Sequence, residues 1–188
     1  MANNWVSQDT ILGSSAPFTG PDTAVLSTSG LTNYGPLVKP GTIKRFEDQT
    51  GKYGAGEFIY LPGVTNMVAG SVVNYVISAG VTAATDATVT LWTGGANSGD
   101  ALAVATVANT STTTWSWYQV QGAAVVNTTF SVAAGDKAYY GGSAGFWQST
   151  AVGGKQVIGA KATSANGVPV AGQAVYLIDF PNVQSQIT

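Results

Sequence analysis

Five carboxylates stand in the β-patterned part of this chain: Glu57, Asp86, Asp100, Asp136 and Asp179. Two carboxyl groups facing one cleft can hydrolyse a glycosidic bond, one as acid and the other as base or nucleophile. Asp100 in "NSGDA" and Asp136 in "AAGDK" instead fall at turns, where an Asp side chain satisfies nearby backbone N–H groups. Asp179, in "YLIDFP", ends a strand and suits an edge or inter-chain contact better than acid–base work. Serines are plentiful, but the chain has no histidine and no Ser-x-x-Lys, so a serine nucleophile lacks its base. The glycine pairs at 94–95, 141–142 and 153–154 lack the Gly-Lys-Ser/Thr ending of a phosphate loop, and "GKYGAGE" (51–57) reads as a flexible elbow. With neither cysteine nor histidine, the usual soft metal ligands are missing as well. The expectation is a protein with no catalytic residues, no metal and no cofactor.

The aromatics are the other candidates. "TTTWSWYQVQG" (112–122) holds Trp115, Trp117 and Tyr118. On a strand, Trp115 and Trp117 share one face with Gln119 and Gln121, while Ser116, Tyr118 and Val120 share the other. Three roles are open: the interior of a sheet, a subunit interface, or a platform for stacking sugars. The sugar role is the weakest, because gripping groups such as Asp or Arg do not flank the run. Trp115, Asp179 and Phe180 are therefore the candidates for a contact between subunits.

The elements that would position these residues follow from composition and spacing. Only 9% of residues are charged, against about 25% in ordinary soluble domains. A surface of Thr, Ser, Asn, Gln and Gly is easily desolvated and suits a component of an assembly. The net charge of −2 offers no basic patch for nucleic acid. The opening "MANNWVSQDT" has no basic and apolar leader pattern, so folding in a cytoplasm is expected, with no membrane span.

Residues 1–55 carry four of the seven prolines, at 17, 21, 36 and 40, and read as an extended N-terminal arm. The arm also carries large apolar groups, among them Trp5, Ile11, Leu12, Phe18, Leu26, Tyr34, Leu37 and Phe46, more than a disordered linker would. Together with Lys44 and Arg45 of the charged cluster at 44–57, these are the expected partner-binding residues. From residue 56 to 188, β-branched and aromatic segments alternate with glycine-rich breaks about every 8–12 residues. The fold class expected is all-β, a compact antiparallel sandwich or barrel of jelly-roll or tulip-like form. "VTAATDA" and "GDALAVATVAN" leave room for one helical turn at most.

Four stretches also resemble a known family. "GAGEFIYLPGV" (54–64), "GSVVNYVI" (70–77), "WYQVQGAAV" (117–125) and "GAKATSANGVPVAGQAVYLIDFP" (159–181) are similar to head decoration, or cement, proteins of tailed bacteriophages. The resemblance spans roughly residues 54–181; "TTTWSW" departs from the Gly-Trp-Tyr form of that group, so Trp115 falls outside it. It implies a structural virion protein made in the host bacterial cytoplasm. That protein would sit on the outer surface of an icosahedral capsid and clamp neighbouring major capsid proteins. Its partners would be the major capsid protein and itself, a homotrimer favoured over a dimer, with no nucleic acid or membrane. A glycan-binding adhesin or tail-fibre-type module is the alternative, and it requires Trp115 or Trp117 to be exposed.

Overall fold

A computed structural model describes residues 5–7, 25–28, 31–34, 38–48, 50–78 and 87–185, with side chains from residue 38 onward. The elements are β1 (Trp5–Ser7), β2 (Val25–Thr28), β3 (Leu31–Tyr34), β4 (Ile43–Asp48), β5 (Ala55–Pro62), β6 (Val72–Ile77) and β7 (Ala87–Leu91). They continue with β8 (Ala101–Ala105), β9 (Trp115–Asn127), β10 (Lys137–Tyr140), β11 (Trp147–Gln148), β12 (Gln156–Ala162) and β13 (Gln173–Val183). No helix occurs among the described residues, and every strand-to-strand pairing is antiparallel. The all-β class expected from the sequence is the class observed. Of the two alanine-rich stretches with room for a helical turn, "GDALAVATVAN" instead holds strand β8, its burial on both faces favouring small residues, and "VTAATDA" lies outside the described residues up to Ala87.

The main sheet runs β1-β4-β5-β9-β8-β13-β12-β10-β11, with β6 joining β8 to β7. At its centre β9 pairs with β5 along residues 115–121 and with β13 along 121–127. On the edge away from β5, ahead of the β13 pairing, Gln119 and Tyr118 pair with Val104 and Ala105 of β8. The sheet therefore divides at β9 into a β8–β6–β7 branch and a β13–β12–β10–β11 branch. Between the branches packs the largest core, with Trp92, Leu102, Val104, Ala124, Val126, Trp147, Tyr176 and Ile178. On the other face of β8, the residues Ile59, Leu61, Met67, Val73, Ala103, Tyr118 and Val120 form a second core. A third, aromatic cluster lies on the opposite face of β5 and β9.

The bend that lets β9 serve both branches is at Gly122, whose φ of +99° is open to glycine and strained for other residues. A Cβ there would sit 2.7 Å from the carbonyl oxygen of Ala55 and 3.0 Å from the Cα of Gly56. The buried Gln119 holds the bend from its side: its amide nitrogen donates to the carbonyls of Gln121 (3.0 Å) and Ala123 (3.1 Å).

The sheet reaches ahead of the expected boundary at residue 56. Strand β4 pairs with β5 from Ile43↔Ile59 to Glu47↔Ala55, and β1 pairs with β4. Strands β2 and β3 form a separate two-stranded sheet, so Leu26 and Tyr34 lie on strands, as does Trp5. Proline denies a ladder bond only where it stands: β1 precedes Pro17, β2 and β3 lie between Pro21 and Pro36, and β4 follows Pro40. Ile11, Leu12, Phe18 and Leu37 lie outside the described residues.

Gly122→Ala is expected to lower unfolding stability by at least about 2 kcal/mol, combining a strained φ with a clash. Gly135→Ala, at φ +96° with nothing within 4 Å of its Cβ, is the control. It should cost only the backbone term, about 1 kcal/mol. Urea unfolding of both variants checks this; equal losses would show that close packing at the bend contributes nothing.

Candidate functional site

Trp115 and Trp117 are 5% and 3% exposed, so neither offers a face to a sugar or to another subunit. They complete the aromatic cluster with Phe46, Phe58 and Tyr60. Ring centroids are 5.2 Å apart for Phe46–Trp117 and 5.1 Å for Tyr60–Trp117, close enough for edge and tilted contacts. Tyr118 and Val120 point the opposite way into the second core, which makes β9 a strand between two packed surfaces. Tyr118 donates its hydroxyl to the Pro62 carbonyl at 2.7 Å, and burial raises its pKa. Phe46, expected among the partner-binding residues, is fully buried. The charges around it conceal a strand whose Phe46 and Asp48 point inward while Arg45 and Glu47 point out.

Asp179 and Phe180 are exposed. Asp179 is not on an edge, because β13 is flanked by β9 and β12. Its carboxylate accepts a bond from Gln121 Nε2 at 3.1 Å. Registers place Arg45 opposite Glu57, Glu57 opposite Gln121 and Gln121 opposite Asp179, one polar row across four strands. Asp136 has the expected turn role, accepting the Ala133 N–H at 2.8 Å. Among the described residues no group of three or more His, Cys, Asp or Glu could hold a metal ion.

Two aromatic side chains stand out by their backbone. Among the described residues, four other than glycine have positive φ: Asn66, Asn97, Phe130 (+67°) and Phe180 (+42°). Asparagine tolerates this region; a bulky side chain there is strained. Phe180 precedes Pro181, a second restriction on its backbone. The strain arises at a bulge: Ile158 pairs with Asn182 and Ala160 with Ile178, so Asp179, Phe180 and Pro181 stand opposite Gly159 alone. A Cβ on Gly159 would collide with the Asp179 carbonyl. Phe130 lies beyond β9, where Asn166 ties its loop to the β12–β13 loop by donating to the Phe130 carbonyl at 3.0 Å. Phe130 is 71% exposed and Phe180 45%. Burial does not explain either aromatic; Phe180 is among the residues the sequence offers for a contact between subunits, whereas Phe130 is not, because neither its φ nor its exposure is written in the sequence.

A pocket of about 120 Å³ is lined by Tyr53, Ala69, Gly70, Val104, Ala105, Thr106, Gln119, Ala123, Val125 and Gln173. No carboxylate, amine or guanidinium lines it. Tyr53 is placed there by a loop organised on Asp48. That buried carboxylate accepts bonds from the N–H groups of Thr50 (2.9 Å), Lys52 (3.0 Å) and Tyr53 (2.9 Å), and from the Thr50 hydroxyl. Burial by itself raises the pKa of Asp48, but the Thr50 hydroxyl and the three backbone N–H groups outweigh it. The carboxyl ends below its ordinary 3.8. Across the pocket, Gln173 Nε2 donates to Asn127 Oδ1 at 2.9 Å, and Asn127 Nδ2 donates to the Ala69 carbonyl at 2.9 Å.

Set against known proteins, the chain matches no protein-family model and no curated protein sequence.

Because the folded Asp48 pKa is depressed, its stabilisation is complete above the unfolded value and is lost as pH falls through the folded one. Wild-type thermal stability should therefore drop below about pH 4, where the unfolded aspartate begins to bind its proton. Asp48→Asn should flatten that acid limb and cost about 2 kcal/mol at neutral pH, the scale of lost hydrogen bonds to a charged group. Melting curves of both proteins between pH 7 and pH 2 check this; identical acid limbs would assign the drop to other groups.

Proposed function

We propose that this chain is a structural virion protein that binds the outside of an icosahedral phage capsid and stabilises it by clamping neighbouring major capsid proteins. The observation that carries the reading is the pair of phenylalanines displayed on left-handed backbone. Glycine would fit both positions with less strain, yet each presents a large apolar ring to solvent. Strain of this kind persists where a site needs the side chain, and aromatic residues are enriched at the centres of protein interfaces. Only 9% of the chain is charged, so, Asp179 beside Phe180 apart, docking this surface against another protein strips away little hydration. Leu177 and the loop residues Val168 and Val170 add exposed apolar area.

The resemblance to phage decoration proteins supplies the kind of partner. Its motifs fall on β5, β6, β9, β12 and β13, the central strand, its β5 neighbour and strands of both branches. Many copies on one shell would each bury surface across a seam between capsid subunits, and their effects would add through multivalency. The adhesin alternative loses its main requirement, since Trp115 and Trp117 are buried.

Phe130→Gly and Phe180→Gly test the reading on assembled capsid shells by co-sedimentation. Each should weaken shell binding at least about tenfold, the effect of losing an interface anchor. The stability of the free protein should stay within about 1 kcal/mol, since relief of the positive φ offsets the added chain entropy. Deleting residues 2–40 should abolish incorporation, or leave heads that burst on heating or osmotic shock. Full binding by both phenylalanine variants and stable heads with the truncated chain would overturn the proposal.

A further inference from the structure

Three strands end the main sheet: β1, β11 and, on the β8–β6 branch, β7. An open edge carries unpaired N–H and C=O groups, and proteins guard it with charge, proline, a bulge or brevity. β1 has three residues and β11 two. β7 has five, without proline or charge, and pairs with β6 in unbroken register from Val73↔Leu91 to Ile77↔Ala87. Among the described residues no strand pairs with its other edge. Asp86 is the only charged residue between Glu57 and Asp100.

The free groups of this edge can be assigned. Trp92 N–H donates to the Val72 carbonyl at 3.0 Å, and along an antiparallel ladder bonded pairs alternate with non-bonded ones. Thr88 and Thr90 therefore bond to β6, while the N–H and C=O groups of Ala87, Val89 and Leu91 point to the open edge. On the faces, Thr88 and Thr90 are exposed, Ala87 is buried, and Val89 and Leu91 are half-buried against the second core.

The edge is symmetric about Val89, since Thr-Val-Thr reads the same in both directions. A two-fold axis at Val89 sets Val89 opposite Val89 of a second copy, Thr88 opposite Thr90, and the small Ala87 opposite the larger Leu91. In this register the outward-facing residues meet as bonded pairs, so each outward N–H finds a carbonyl. The threonines meet on the outer face, a favourable cross-strand match. We propose that β7 pairs antiparallel with β7 of a second copy, joining two sheets into one across a two-fold dimer. A foreign strand would gain nothing from the symmetry. The inference is independent of the capsid reading and differs from the trimer that the resemblance favours. A five-residue ladder buries little area, so the dimer is weak, with a Kd on the order of 0.1 mM.

Sedimentation of the full-length protein across that concentration should show a monomer–dimer equilibrium. Thr88→Lys combined with Thr90→Lys changes exposed side chains and leaves the β6 ladder bonds in place. It sets like charges opposite each other and should weaken dimerisation about tenfold. Thr88→Glu with Thr90→Glu should do the same, and an equal mixture of the two proteins should recover the dimer. Disulfides read the register, because the chain has no cysteine of its own. Thr88→Cys mixed with Thr90→Cys should cross-link, since facing residues of a non-bonded pair stand about 4.5 Å apart at Cα, within disulfide reach. Thr88→Cys alone should not. A monomer at every concentration, equally fast cross-linking of Thr88→Cys alone, or an oligomer unchanged by both charge variants would overturn the proposal. Loss of capsid-shell binding by the lysine variant, with no dimer of the wild type at any concentration, would assign the edge to a capsid strand and overturn it too.

Discussion

A thirteen-residue strand that belongs to two branches of a sheet cannot be straight, and most of this fold follows from how β9 solves that problem. It bends where a side chain is absent, at Gly122, and a side-chain amide from its own Gln119 binds the carbonyls on either side of the bend. All three hydrophobic clusters draw on this one strand. Trp115 and Trp117 enter the aromatic cluster, Tyr118 and Val120 the second core, and Ala124 and Val126 the core between the branches. A buried glutamine in an aromatic face, a costly choice elsewhere, is here the group that lets the backbone turn.

The surface follows a different rule. With seven basic and nine acidic residues in 188, this chain has few charges to keep proteins apart. It spends several of them on internal order: Asp48 organises a loop, Asp136 a turn, and Asp179 bonds to Gln121. What faces solvent is largely small and polar, interrupted by Phe130, Phe180 and Leu177. Under the proposed capsid-binding role, an exposed ring on such a background would be the dominant source of binding energy.

Much of the sheet was legible in the sequence because its strands past residue 56 are short, rich in β-branched residues and bounded by glycine. The aromatic run was legible to the level of faces: alternation put Trp115 and Trp117 together, although only the fold shows that both faces are buried. Strand β4 was hidden because four of its six residues are charged, which resembles a solvated hinge. Only the pairing with β5 explains why Phe46 and Asp48 alternate with the exposed positions. Asp48 drew no notice as a site residue, since its partners are backbone N–H groups that sequence does not mark. The pocket could not have been found either. Its lining comes from separate strands and turns, mostly Ala, Val and Gly.

The central position of β9 also bears on when the protein can acquire its shape during synthesis. Its first half pairs on one edge with β5, some sixty residues earlier, but on the other edge its second half has no neighbour until β13 emerges. Strand β12 likewise waits for β13, the element that joins it to the rest. Pairings over such separations form slowly, because the loop must close before any contact rewards it. A ribosome that has completed β9 therefore carries a chain with half of its central strand uncovered. The main core cannot close until Gln173–Val183 has left the exit tunnel, so translation near the end of the domain sets the moment at which this protein becomes compact.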